Sequence, residues 1–347
     1  MKLSPTVFGD RRAGLRVKII GLYGTLIVAN LLAWAWAVAA FHEHRLLVGT
    51  ALVAYGFGLR HALDADHIAA IDNVTRKLMQ EDKRPIAVGF FFALGHSTVV
   101  VLGSTAIVLT ANTLQSRFPE WIETGSLLGT LVSAIFLFLI ATINIIVLAG
   151  VFRIFRRVRC GGKYNEEELE LLLGQRGALG RLFRPLMRLI SRSWHMYPLG
   201  FLFGLGFDTA TEIGVLGITA AAATKGLSVW SILVFPALFT AGMSLVDTSD
   251  GVLMLGTYGW AFVNPIRKLF YNLTITLISV VVAVVVGSIE VLGLVAGRLG
   301  STGVIWDTIN LLADNFSSLG YLVVGVFMVS WLVSFVIYRS TENEGSA

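Results

Sequence analysis

Three imidazoles and seven carboxylates interrupt long hydrophobic stretches of this chain, and they fall into four clusters. The first runs Arg60-His61-Ala62-Leu63-Asp64-Ala65-Asp66-His67 and reaches Asp72. The second is Gly95-His96-Ser97-Thr98, the third Asp208-Thr209-Ala210-Thr211-Glu212, and the fourth Asp247-Thr248-Ser249-Asp250-Gly251. Ionisable groups at bilayer depth cost several kcal/mol each, so they face a bundle interior and mark a pathway or a site. Nitrogen and oxygen donors without a thiol suit a divalent first-row cation such as nickel, cobalt or zinc, and not copper(I). Alkali ions would not call for imidazole. An anion path would expose Arg or Lys, whereas Arg60 is the one base expected inside a span, where it pairs with a neighbouring carboxylate or snorkels. Taken singly, His96 or Asp247 would do no more than bond one helix to another. Four clusters on four spans argue for a shared ion.

Helical geometry restricts which groups can meet. At about 100° and 1.5 Å per residue, His61 with Asp64 and Asp64 with His67 share a face, while Asp66 points about 140° from His61. An unbroken helix separates His61 and His67 by about 9 Å of rise. Either the helix unwinds here, as transporter helices do where they line a cavity, or the groups act at successive positions. Asp208 with Glu212, and Asp247 with Asp250, are same-face pairs at chelating separation.

The elements that must carry these clusters follow from composition. Of 347 residues 55% are hydrophobic and 14% charged, and mean hydropathy is +0.76, which excludes a soluble globule. Apolar windows predict an all-α integral membrane protein with about eight transmembrane helices, at 17–41, 47–74, 85–111, 124–152, 195–223, 229–258, 269–297 and 317–338. No cleavage pattern follows the basic start, so the first span is expected to be retained. With both termini cytoplasmic, 22 of the 27 Lys and Arg lie in cytoplasmic segments and four outside, which fixes the expected orientation. That distribution along membrane-flanking loops implies lipid, and no nucleic acid, as the partner of the basic residues. The loop 153–194, basic at Arg153 to Arg159 and acidic at Glu166 to Glu170, separates a first four-span half (1–152) from a second (195–347) and reads as a topology anchor. Cys160, the sole cysteine, excludes a disulfide framework or a cysteine metal site. His42 and His44 flank Glu43 in an outer turn, either solvated or a capture site. His195 beside Trp194 reads as an interfacial aromatic-belt residue, and Glu290 and Met243 as structural.

One internal echo is present. Residues 89–98 (GFFFALGHST) align without gaps on 200–209 (GFLFGLGFDT), sharing Gly, Phe, Phe, Leu, Gly and Thr. Both lie on spans expected to run outward, which fits a parallel duplication in which Ser97 and Asp208 occupy equivalent places.

At these residues the sequence resembles the nickel/cobalt transporter family. Arg60 through Ile68 looks like its hallmark H-x4-D-H element in the second span. Leu94 through Val100, Leu205 through Ile213, and Gly242-Met243 through Gly251 look like its three further signatures. The resemblance implies uptake of nickel or cobalt ions across a bacterial cytoplasmic membrane by one polypeptide without ATP hydrolysis, with His61, Asp66 and His67 tied to transport. The expected function is thus a secondary permease with no cofactor, nickel or cobalt being the substrate. Its candidate metal-binding residues are His61, Asp64, Asp66, His67, His96, Asp208, Glu212, Asp247 and Asp250. The rivals are a divalent-metal efflux permease and an intramembrane metalloenzyme. The second lacks the H-E-x-x-H element of zinc hydrolases and offers only Ser97 beside His96 as a nucleophile and base. The ligand types do not separate nickel from cobalt.

Overall fold

The computed structural model describes residues 5–81, 83–110, 118–160, 190–205, 210–261, 265–299, 303–315, 318–323, 325–326 and 329. Among them there is no strand. The helices are α1 (Pro5–Phe41), α2 (Arg45–His61), α3 (Ala65–Gln80), α4 (Val88–Thr110), α5 (Phe118–Arg159), α6 (Met196–Gly204), α7 (Ala210–Thr224), α8 (Val229–Ile232), α9 (Val234–Ala261), α10 (Pro265–Leu299) and α11 (Val304–Asp314). Apolar stretches become helices because hydrocarbon offers no partner to backbone N–H and C=O groups, which must then bond within the segment. Among the described residues five helical stretches are long and apolar enough to cross a bilayer, and α2 with α3 makes a sixth as a pair bent by 50°. The chain is therefore an all-α, multi-pass membrane protein. Most of the expected eighth span lies outside the described residues, as do Asp208 and Glu166 to Glu170.

The second span differs from the expectation in two respects. It is two helices rather than one continuous run over 47–74, and the second of them continues to Gln80. Arg76 and Lys77, assigned by charge counting to a solvated 75–84 loop, lie instead in α3 and are buried, at 1% and 7% exposure. Arg60, by contrast, is exposed. Loop counting places every Lys and Arg in water by default, and only tertiary partners can override that default.

Fourteen of the sixteen residues of α3 are buried, which makes it the central rod of the bundle. Its Ala69, Ile71 and Val74 pack with Phe92 of α4, Leu137 of α5, Leu255 of α9 and Ala283 and Val286 of α10. A second apolar cluster joins α1, α2 and α9, with Phe41 stacked on Phe235 at 5.4 Å. Close approach of helices in membranes depends on small residues. A methyl group at Gly58 would overlap the Phe239 carbonyl, and one at Gly89 the Asp247 carbonyl. These two glycines let α2 and α4 sit directly on α9. The outer face of α1, with Ile20, Leu31 and Leu32 at 65–70% exposure, has the character of a lipid-facing surface.

The described part of the second echo segment, 200–205, lies beside the first. Phe92 meets Gly200 and His96 meets Gly204, so α4 and α6 run parallel, and the equivalent Phe92 and Phe203 rings touch edge-on at 5.2 Å. Their surroundings are not equivalent: Gly89 faces Asp247 of α9, and its counterpart Gly200 faces Phe92 of α4.

Candidate metal centre

The break between α2 and α3 builds the centre. It spans Ala62–Asp64, with Leu63 N–H bonded to Arg60 O at 3.0 Å and Asp64 N–H to His61 O at 2.9 Å. Asp64 is the N-cap residue of α3 at φ −66° and ψ 145°, yet its side chain makes no capping bond. Its carboxylate goes instead to His61, with Oδ2 2.7 Å from Nδ1. Unwinding brings together groups that a continuous helix would hold apart. The His61 and His67 ring centroids are 4.6 Å from each other. The α2 C-terminus, the partially negative end of a helix, also points into this region, as half-helices do toward cations in transporters.

His96 on α4 closes the triangle, its ring centroid 4.7 Å from His61 and 4.8 Å from His67. One ring nitrogen from each of the three lies within 4.8 Å of the other two, near enough for the three to close on one ion with a small inward shift. His96 Nε2 is 2.9 Å from His61 Nε2 and 2.8 Å from Glu212 Oε1, and Glu212 is the acidic residue in the first turn of α7. These are hydrogen-bond distances, and cis donors about a metal–nitrogen bond of about 2.1 Å would also stand about 3 Å apart, so the same atoms could turn to an ion with little movement. All three imidazoles are at most 2% exposed and Glu212 is 1% exposed. Among the described residues this burial leaves the centre shut off from solvent.

Carboxylates orient the rings. Asp247 on α9 lies 3.2 Å (Oδ2) and 3.3 Å (Oδ1) from His67 Nδ1. That contact assigns the ring proton to Nδ1 and leaves the lone pair on Nε2, which is buried and has no hydrogen-bond partner among the described residues. A neutral nitrogen kept dry and unpaired is costly unless a ligand completes it. Asp64 does for His61 what Asp247 does for His67. Thr211 Oγ1 adds a contact to His61 Nδ1 at 3.3 Å.

Of the sequence candidates, the structure gathers His61, Asp64, His67, His96, Glu212 and Asp247 into one contiguous set. Asp66 is partly exposed in the first turn of α3, within electrostatic range of His61 and Asp247. Asp250 lies further along α9, within range of Asp72. Helical spacing offered Asp64 as partner to both His61 and His67, and the structure pairs it with His61 because the break turns His67 toward α9. Sequence reasoning missed the aromatic walls, Phe92 at 4.8 Å from His67 and Phe239 at 5.6 Å from His61. Phe92 sits four residues before His96, one turn away on the same face, and that spacing was the available signal. Met243 is buried in the apolar cluster of α1, α2 and α9, and Glu290 accepts a hydrogen bond from Ser133 at 2.8 Å.

The family described as high-affinity nickel-transport protein matches residues 47–337 of the chain. The chain is 59% identical over 331 residues, 95% of its length and 94% of the relative's, to a protein of Cupriavidus necator named "High-affinity nickel transport protein". It is 46% identical to "Nickel transporter NicT" of Mycobacterium tuberculosis, over 92% of this chain and 88% of that one. It is 42% identical to "Cobalt transport protein NhlF" of Rhodococcus rhodochrous, over 82% and 81%. No solved structure matches.

Proposed function

The chain belongs to the high-affinity nickel-transport protein family, and from that premise we propose that it carries nickel, and with it cobalt, inward across a bacterial cytoplasmic membrane. It is a transporter and not an enzyme, and the metal ion is its substrate rather than a cofactor. In this reading eight spans place both termini in the cytoplasm, and residues 153–194 join two four-span halves, 1–152 and 195–347.

The transported ion is held by His61, His67 and His96 with Glu212. Asp64 and Asp247 are the carboxylates that orient the rings. Asp66 and Asp250 supply negative charge along the approach and departure, and Asp208 is kept as a candidate from the sequence alone. The observation that carries this is the buried, unpartnered Nε2 of His67 beside two further imidazoles. In transport terms the site exchanges hydration water for three nitrogens and a carboxylate oxygen. Binding has to be moderate, since an ion held too tightly does not leave. The name of the Rhodococcus relative supports cobalt as a second substrate, and the two ions accept the same donor types.

The test is radioactive nickel uptake by cells expressing the chain, with cobalt, zinc and manganese as competitors. Net accumulation that cobalt suppresses is expected. Net loss of metal from preloaded cells would reverse the direction, and the absence of either would sink the reading.

A further inference from the structure

Further along α3 and α9 from the histidines, on the cytoplasmic side in the topology proposed above, lies a second buried polar cluster that metal binding does not use. Asp72 accepts hydrogen bonds from Tyr258 Oη on α9 and, at 2.9 Å, from Ser279 Oγ on α10. Asn73 accepts from Asn144 Nδ2 on α5 at 2.7 Å and from Arg76 Nη2 at 3.0 Å. Arg76 also donates through Nη1 to Thr276 Oγ1 on α10 at 2.9 Å. Every one of these residues is at most 7% exposed. The cluster thus ties the last two turns of α3 to three neighbouring helices at once.

Two features make this more than helix-to-helix adhesion. A guanidinium is among the most expensive groups to take out of water, and Arg76 is hydrogen-bonded to neutral oxygens, with the Asp72 carboxylate in electrostatic range. Hydrating Arg76 offsets part of the cost of parting these bonds, so the closed arrangement is held with little surplus. The cluster is also carried by the helix that begins at the 62–64 break. His67 sits in the first turn of α3, below the break, whereas His61 ends α2 above it and His96 belongs to α4. A swing of α3 about the break would both part the cluster and draw His67 Nε2 away from the other two nitrogens. Release of the far end and loss of one metal ligand are then a single motion, the hinge form of conformational switching.

We propose that Asp72, Asn73 and Arg76 form an inner latch that holds α3 against α5, α9 and α10, and that the transported cation leaves toward the cytoplasm when this latch opens. The proposal rests on the uptake reading above for the identity and direction of the ion. It rests on the geometry alone for the latch.

The partners on α10 can be weakened without touching a charge or a metal ligand. In a Cys160→Ser background, Thr75→Cys places a reporter on α3 at a position that is fully buried. Thr276→Val with Ser279→Ala removes one acceptor from Arg76 and one donor from Asp72. In inside-out vesicles, labelling of the reporter by a small water-soluble thiol reagent should become about tenfold faster in the double variant, from the loss of two hydrogen bonds. A labelling rate within about twofold of the parent would overturn the latch, since two lost bonds shift a two-state balance by more than that. Locking is the converse test. Asn73→Cys with Asn144→Cys, joined by oxidation and verified by mass, should lose nickel uptake and regain it on reduction. Nickel binding to the purified oxidised protein, followed by calorimetry, should persist. Uptake by the oxidised pair at about the reduced rate would overturn the proposal. Failure of the metal reading looks different: the parent itself would bind no nickel, while the thiol labelling would still report whether α3 opens.

Discussion

Replacing Asp247 by Asn tests the centre at its most informative atom. The substitution is nearly isosteric and buries no new volume, so the bundle should assemble. What changes is the group facing His67 Nδ1, now 3.2–3.3 Å from a carboxylate. An ion on His67 Nε2 would lie across the ring from Asp247, at about 7 Å from its oxygens once a metal–nitrogen bond of about 2 Å is added. A dication and a carboxylate at that distance attract by about 5 kcal/mol at an effective dielectric of 20, an upper bound on what the charge contributes. Asparagine removes that attraction and can also turn its amide nitrogen toward Nδ1, which pushes the ring proton to Nε2 and blocks the ligand. Losing the carboxylate partner of a metal-bound histidine costs about 10–100-fold in affinity, or about 1.4–2.7 kcal/mol. The KM for nickel uptake should therefore rise by about one to two decades at equal protein in the membrane. Direct nickel titration of the purified protein should show the same ratio. Asp250→Asn, further along α9, should change KM much less. If Asp247→Asn left both KM and affinity within about twofold of the parent, His67 would not be oriented for metal by Asp247, and the argument from the unpartnered Nε2 would fail.

Three further outcomes follow from the same geometry. His67→Ala removes one of three nitrogens and should abolish uptake while the protein still reaches the membrane; uptake above about half the parent rate would take the second span out of the ion path. Gly89→Val thrusts a side chain into the Asp247 carbonyl and should lower thermal stability by about 1–3 kcal/mol, read as earlier unfolding in detergent; unchanged unfolding would mean α4 and α9 are not in close contact. Exchanging the glutamates of the 166–170 stretch for Gln should leave nickel KM unchanged within about twofold, because the loop expected from the sequence lies outside all four clusters and charges exposed in such a loop would be screened. A tenfold change would give the loop a part in metal capture.

The donor atoms were legible in the sequence because a charge inside an apolar run has few explanations, and all three imidazoles of the centre were visible that way. Their arrangement was not. Ala62, Leu63 and Asp64 contain neither glycine nor proline, so nothing local marks a helix break, and helix arithmetic set His61 and His67 about 9 Å apart along the axis where the rings now touch. The unwinding was an open alternative, and what selects it is tertiary: Asp64 spends its carboxylate on His61, and His67 turns to a residue 180 positions away. Arg76 shows the opposite failure. A basic residue near the end of an apolar run reads as a loop charge, and its burial depends on Asn73 and Thr276, whose types alone announce nothing. The echo of 89–98 in 200–209 suggested helices running the same way, as α4 and α6 do. It could not foretell that the two segments face different partners.

The distribution of the donors over the chain bears on why such a centre passes metal on instead of keeping it. In a helix-borne zinc motif, two histidines one turn apart move as one body, and the ion they hold is released only by local unfolding. Here His61, His67, His96 and Glu212 belong to four different helices, and the first two are divided by a break in the backbone. Displacing any one of those helices strips one donor and leaves the rest in place. Affinity can then fall by steps as the bundle shifts, with each step costing about what one metal–ligand bond and its oriented partner supply, on the order of tenfold or more. An ion captured by the complete set would be handed to water as the set comes apart, without any single movement having to overcome the whole binding energy.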